Sequence, residues 1–211
     1  MLFRVTFFNS RSFLCMLTDN RHDSLGLLTD NAIMLKVKDG HLDGMRLLFE
    51  RYHKPLYGFL YRMTGERETS EDIVQDVFLR MLRSRHTFTV HGEFKTWMYH
   101  VARNLLKDTF KRNQKTGGHY DITAFEERIS SGEMADAKVQ QQEEAALLQR
   151  ALSKLEPLHR EILVLSRYQE LRYSEIAAIL DITEGAVKVR VHRAMEQLRA
   201  IFLKLNAKTE Y

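Results

Sequence analysis

An all-α protein of two helical domains joined by a flexible linker is what this chain of 211 residues predicts. Three observations lead there. Helix breakers are scarce, with two prolines (Pro55 and Pro157) and ten glycines. Apolar residues recur three and four positions apart through both halves of the chain, the period of an amphipathic helix. Between the halves the charge changes sign. Residues 103–115 carry five bases against Asp108, whereas 116–144 carry seven acids against two bases, a net of −5. The overall net charge of +4 says little; its distribution separates two basic patches by an acidic connector.

Residues 1–29 read as a disordered extension. Met1 to Cys15 is apolar but interrupted by Arg4, Asn9 and Arg11, and it lacks a small-residue cleavage site. A weak signal or an amphipathic surface segment is the other reading of this stretch; an upstream start, with Met16 as the true one, is a third. The first domain spans 30–113. A short helix over 31–38 ends at Asp39-Gly40. A longer one follows, with Met45, Leu48, Phe49, Tyr52, Leu56, Phe59, Leu60 and Met63 on its buried side and Pro55 as a kink or an absorbed bend. Thr64-Gly65-Glu66 ends that helix. Ser70 is then expected to cap a helix from Glu71 to Arg83, whose apolar side is Ile73, Val74, Val77, Phe78, Met81 and Leu82. A polar loop, 86–92, leads to a helix from Phe94, with Trp97, Met98, Val101, Leu105 and Leu106 as its core stripe.

Residues 114–142, with Gly117-Gly118 at their start, read as an acidic flexible linker. Helix is expected to resume at Glu143 and open a second domain, 143–205, through Leu147, Leu148, Leu152 and Leu155. Pro157 breaks that helix, and Leu158 to Tyr168 forms the next. Ser174 can then cap a short helix burying Ile176, Ala177, Ile179 and Leu180. Asp181-Ile182-Thr183 makes a three-residue turn, and Thr183 can accept from the backbone of the helix that follows. That last helix hides Val187, Val191, Ala194 and Leu198 on one face and carries Lys188, Arg190, His192, Arg193, Arg199 and Lys204 on the others. Two helices on a tight turn, the second cationic, are the shape that enters a DNA major groove. Residues 206–211 form a tail.

Several functions are excluded by what the chain lacks. The lone Cys15 leaves no internal disulfide and no cysteine-built zinc site, and nine histidines show no metal-helix spacing. No run reaches the ~18 apolar residues of a membrane span. There is no glycine-rich phosphate loop and no nucleophile elbow. The expectation is therefore a cytoplasmic binding protein, not an enzyme, with no metal, no cofactor and no stable membrane insertion.

Three segments in order, Glu71-Asp-Ile-Val-Gln-Asp-Val-Phe-Leu79, then Phe94-x-x-Trp97-Met-Tyr-x-Val-Ala-Arg-Asn104, then the helix-turn-helix, resemble bacterial RNA polymerase sigma factors of the extracytoplasmic-function group. The resemblance covers about Asp30 to Leu205 and implies that the domains are sigma regions 2 and 4. It implies that Asp72, Gln75 and Asp76 dock on the coiled coil of the large clamp subunit of core RNA polymerase. At the −10 promoter element, Asn104 and Asp108 would sit where the duplex opens. The loop bearing Phe88 would hold an extruded base, whose unstacking costs a few kcal/mol. Lys107, Lys111 and Arg112 would grip phosphates there. At the −35 element, Thr183, Glu184 and Gly185 form the first turn of the reading helix, where backbone N–H groups can meet a phosphate. Lys188 can donate to guanine, Val189 can touch a thymine methyl, and His192 faces base edges, while Arg190 and Arg193 span the backbone. The linker would thread the RNA-exit path, and an anti-sigma factor would hold the protein inactive. The rival reading is a stand-alone helix-turn-helix regulator, which binds its operator without polymerase.

Overall fold

The computed structural model describes residues 28–115 and 136–207, with side chains for 28–113 and 144–207. All but residues 28 and 29 of the expected N-terminal extension, and most of the linker, lie outside the described residues; Leu28 packs on the core and Thr29 caps the first described helix, so these two belong to the fold. Everything described is helix and short connections. In chain order the helices are α1 (Asp30–Lys38), α2 (Gly44–Thr64), α3 (Arg67–Arg83), α4 (Phe94–Lys115), α5 (Asp136–Ser153), α6 (Pro157–Leu163), α7 (Tyr173–Leu180) and α8 (Glu184–Asn206).

The Thr29 hydroxyl caps α1 by accepting from the Ala32 N–H at 3.3 Å. Asp30, in the first turn, takes a 2.6 Å hydrogen bond from Arg51 and another from the Tyr52 hydroxyl, tying α1 across α2. Burial, and then Asp30 beside it, push the Tyr52 phenol well above the ordinary tyrosine range. The two helices touch at Gly44, where an added Cβ would lie 2.9 Å from the Cγ2 atoms of both Ile33 and Val37. Glycine is required there for close approach. Pro55 sits on the exposed side of one continuous α2, so it is absorbed rather than breaking the helix. Gly65, at φ 76°, ends α2 in the left-handed conformation open to glycine.

α3 begins at Arg67, four residues before the expected Glu71. Ser70 is not its cap. It is fully buried, with its hydroxyl bonded to the Glu66 carbonyl and 2.8 Å from the Thr64 Oγ1. Those two hydroxyls satisfy the tight turn from inside. The loop before α4 is pinned from α1: Lys38 donates to the Phe88 carbonyl at 2.6 Å, and Asn31 Oδ1 accepts from the Phe94 N–H at 2.7 Å.

In the second half, α5 starts at Asp136 rather than Glu143. The stretch read as linker for its polarity holds Ala, Lys and Gln, which are good helix formers. Pro157 occupies the first turn of α6, where a missing N–H costs nothing. The helix expected to run to Tyr168 widens into a π turn over Val164–Tyr168, closed by Gln169 N–H to Val164 O at 3.1 Å. Glu170 then takes a left-handed φ of 53°.

The two helical groups pack on each other, α4 against α7 and α2 against α5, α6 and the π turn. One apolar core runs through both. We expect Gly44→Ala to lower stability by about 1–3 kcal/mol, because β-branched Ile33 and Val37 cannot swing aside cheaply. Urea unfolding monitored by circular dichroism checks this.

Candidate nucleic-acid interface

The helix-turn-helix is built largely from local bonds. Arg172, not Ser174, stands at the N-cap of α7, and its N–H is taken by Glu175 Oε2 at 2.7 Å. Glu175, the third residue of the helix, reaches back to that otherwise orphan amide and sets the start of α7 before Ser174. α7 buries Ile176, Ala177, Ile179 and Leu180. Asp181 turns the chain at a φ of 57°, and Ile182 N–H reaches Ala177 O at 3.0 Å. The Thr183 hydroxyl then accepts from Ala186 N–H at 3.2 Å and fixes the start of α8.

α8 hides Val187, Val191 and Ala194, with Leu198 half-buried. That burial turns Thr183, Glu184, Gly185, Lys188, Val189, His192 and Arg193 outward, with Arg190 half-buried on the flank. Val189 keeps 50% of its surface, an unusual exposure for valine. His192 Nε2 lies 3.4 Å from Glu196 Oε1 one turn on, so the ring already has an acidic neighbour. At Gly185 the nearest atom to an added Cβ is Thr183 Oγ1 at 4.0 Å, so the first turn is open to a ligand's approach.

α4 follows the same logic. Met98, Tyr99, Ala102 and Leu106 are buried, and Asn104, Lys107, Asp108, Lys111 and Arg112 are exposed. Trp97 is half-buried against the core, as its register with Val101 suggests. Phe88, expected to hold an extruded base, is only 1% exposed and packs edge-on against Trp97 with ring centroids 5.4 Å apart. Its ring supports the loop from beneath; the exposed apolar side chain of that loop is Val90. The sequence reading also passed over His100. It is exposed one turn before Asn104, and its Nδ1 lies 3.4 Å from the Asn104 amide nitrogen. The four-residue spacing on one helix face was the available signal.

On α3, Asp72, Gln75 and Asp76 are exposed beside the buried ridge Ile73, Val74 and Val77. Partial burial pushes the Asp72 carboxyl above the ordinary aspartate range, and the acids Glu68, Asp76 and Glu71 add to it. Among the described residues no group of three His, Cys, Asp or Glu side chains could hold a metal, and no helix is long and apolar enough to cross a membrane.

An acid-faced helix, a polar and basic helix beside it, and a cationic helix-turn-helix in the same chain define an all-helical, two-domain DNA-binding protein. The comparisons narrow this. The Sigma-70 region 2 profile matches residues 48–116, and the Sigma-70 region 4 profile matches 145–198. The chain is 30% identical to the ECF RNA polymerase sigma factor SigW of Bacillus subtilis over 78% of its own length and 91% of that protein. It is 31% identical to the RNA polymerase sigma factor CarQ of Myxococcus xanthus, over 82% and 97% of the two chains. Its fold is shared with CnrH, solved with the cytosolic domain of CnrY, at TM-score 0.61 and 22% identity, covering 82% of this chain and 96% of that one. The chain belongs to the ECF RNA polymerase sigma factors. It directs promoter-specific initiation of transcription, and a stand-alone regulator is not the favoured reading.

Replacing Thr183 by Ala is expected to cost about 1 kcal/mol through the lost N-cap, whereas Thr183→Ser keeps the bond. Thermal unfolding of the two variants side by side measures the difference.

Proposed function

We propose that this chain acts in the cytoplasm by binding core RNA polymerase and presenting two DNA-reading helices to a promoter, with no covalent chemistry of its own. Domain 30–113 serves the polymerase and the −10 element, and domain 143–205 serves the −35 element. The observation that carries the reading is the pair of outward polar stripes, on α4 and on α8, each fixed by burial of the helix face behind it.

Asp72, Gln75 and Asp76 dock on a basic surface of the polymerase. The crowded acids of α3 are costly alone and gain most from a cationic partner, which gives both register and selectivity. Asn104, with His100 setting its amide, reads the edge of a −10 base, and Asp108 accepts from a base amine nearby. Lys107, Lys111 and Arg112 neutralise phosphates. On α8, Lys188, Val189 and His192 read the −35 element, Arg190 and Arg193 grip its backbone, and the turn Thr183-Glu184-Gly185 offers amides to a phosphate. The relative RpoE of Bartonella quintana was solved in complex with the anti-sigma factor NepR, at TM-score 0.58. An anti-sigma factor is proposed as a regulator of this chain too.

The test is run-off transcription with purified core polymerase. The chain should initiate at discrete sites only when core is present. A tight operator complex without core, and no initiation with it, would overturn the reading. Lys188→Ala with Arg193→Ala should lower initiation at a −35-dependent promoter by 10-fold or more while core binding persists. Lys111→Ala should instead weaken DNA binding uniformly and reduce the salt slope by about one unit.

Asp72→Asn should weaken core binding. The ionised Asp72 is the form that pairs with a cation, and its pKa is raised. Wild-type affinity should therefore fall as pH drops through that raised value, and the Asn variant should lack this component. Titration by fluorescence anisotropy at a series of pH values resolves the two.

A further inference from the structure

The turn that leads into α4 is fixed at both of its ends from α1. Residues 89–92 project from the domain with Thr89, Val90 and His91 exposed, Val90 keeping 68% of its surface. One hydrogen bond closes them, Gly92 N–H to Thr89 O at 3.0 Å. Glycine suits that closure, since an added Cβ would lie 3.1 Å from Thr89 Oγ1 and 3.3 Å from Thr89 O. On either side the rings of Phe88 and Phe94 are each 1% exposed and seated in the core. The Phe88 carbonyl and the Phe94 amide both go to α1. Lys38 donates to the carbonyl at 2.6 Å, and Asn31 Oδ1 accepts from the amide at 2.7 Å. That amide opens a helix, so it has no acceptor within the helix itself. Asn31 Nδ2 also reaches Glu93 Oε2 at 3.4 Å.

α1 is itself fastened to α2. Ile33, Met34 and Val37 are fully buried, and Asp30, next to Asn31, is bound by Arg51 and Tyr52. Position is thus relayed from α2 through α1 to the turn, over a sequence separation of 63 residues at Asn31 and 50 at Lys38.

We propose that Asn31 and Lys38 are positioning residues for promoter selection, which preorganise turn 89–92 and the first turn of α4 toward the −10 element. The inference rests on the reading of domain 30–113 as the part that serves that element. A turn with one internal hydrogen bond samples several conformations unless its ends are held, and ordering it on contact lowers affinity for the correct sequence. A promoter with a wrong base does not engage the turn and escapes that loss. Removing either hold therefore weakens productive binding more than unproductive binding, and selectivity falls. A general loss of folded protein lowers both alike and leaves their ratio unchanged.

The test is run-off transcription by the full chain with core polymerase, on a start site mapped from genomic template and on copies with one substitution at each −10 position. The readout is the ratio of initiation on the native site to initiation on the copy that the parent chain rejects most strongly. Asn31→Ala and Lys38→Met should each cut this ratio about five-fold, the effect of one lost hydrogen bond of this kind. Asn31→Asp keeps an acceptor for the Phe94 amide and Lys38→Arg keeps a donor, so both should stay within about two-fold of the parent. Hydrogen exchange followed by NMR reads the hold directly. The Phe94 amide should be protected in the parent and exchange about ten-fold faster in Asn31→Ala, with the amides of α8 unchanged. Unaltered ratios in Asn31→Ala and Lys38→Met, or equal losses in Asn31→Asp and Lys38→Arg, would overturn the proposal. No initiation by the parent at any site would refute the promoter reading on which it stands. Fast Phe94 exchange in the parent would refute the hold, whatever the transcription shows.

Discussion

Each side chain assigned here to DNA or polymerase owes its direction to the burial of the helix face behind it. On α8 the buried series Val187, Val191 and Ala194 leaves Lys188, Val189 and His192 no orientation but outward. On α3 the ridge Ile73, Val74, Val77 and Phe78 does the same for Asp72, Gln75 and Asp76. Burying each such apolar side chain is worth roughly 1.5–3 kcal/mol, far more than an exposed ion pair can contribute. The hydrophobic faces therefore set the geometry, and the polar faces inherit it.

That ranking explains what could be read from the amino acids alone. The helical periodicity of α2, α3, α4 and α8, and the Thr183 cap, follow from local spacing and local hydrogen bonds. Ser70 and Ser174 misled because a serine before an apolar run signals a cap only if its hydroxyl is unclaimed and no earlier residue starts the helix. Ser70 is engaged inside the turn by Thr64 and Glu66, and Ser174 falls inside the first turn of α7, whose start is fixed two residues earlier by the Glu175 carboxylate on the Arg172 amide. Phe88 sits in a polar loop, and its burial under Trp97 depends on how that loop folds back onto the start of α4, which no helical or strand periodicity announces. The start of α5 was hidden because net charge does not separate a polar helix from a coil.

The domain contacts were out of reach for a different reason. Arg160 and Met63 are 97 residues apart, and Tyr99 and Gln169 are 70 apart. An arginine that binds carbonyls rather than carboxylates leaves no complementary charge to search for. Buried polar groups are retained when they find hydrogen-bond partners, and each of the three guanidinium nitrogens of Arg160 donates to a backbone carbonyl. Two domains that look tethered in sequence thus share one interior.

Asn31 carries a consequence of another kind. By accepting from the Phe94 amide it caps α4 from a helix sixty-three positions earlier, while Lys38 at the other end of α1 holds the Phe88 carbonyl. α1 therefore works as a clamp bar beneath the loop that precedes α4, touching it from both ends of the helix. Displacing that bar would release the loop and uncap α4 in one movement. Whatever seizes α1 thereby gains leverage over the loop and over the start of α4 together.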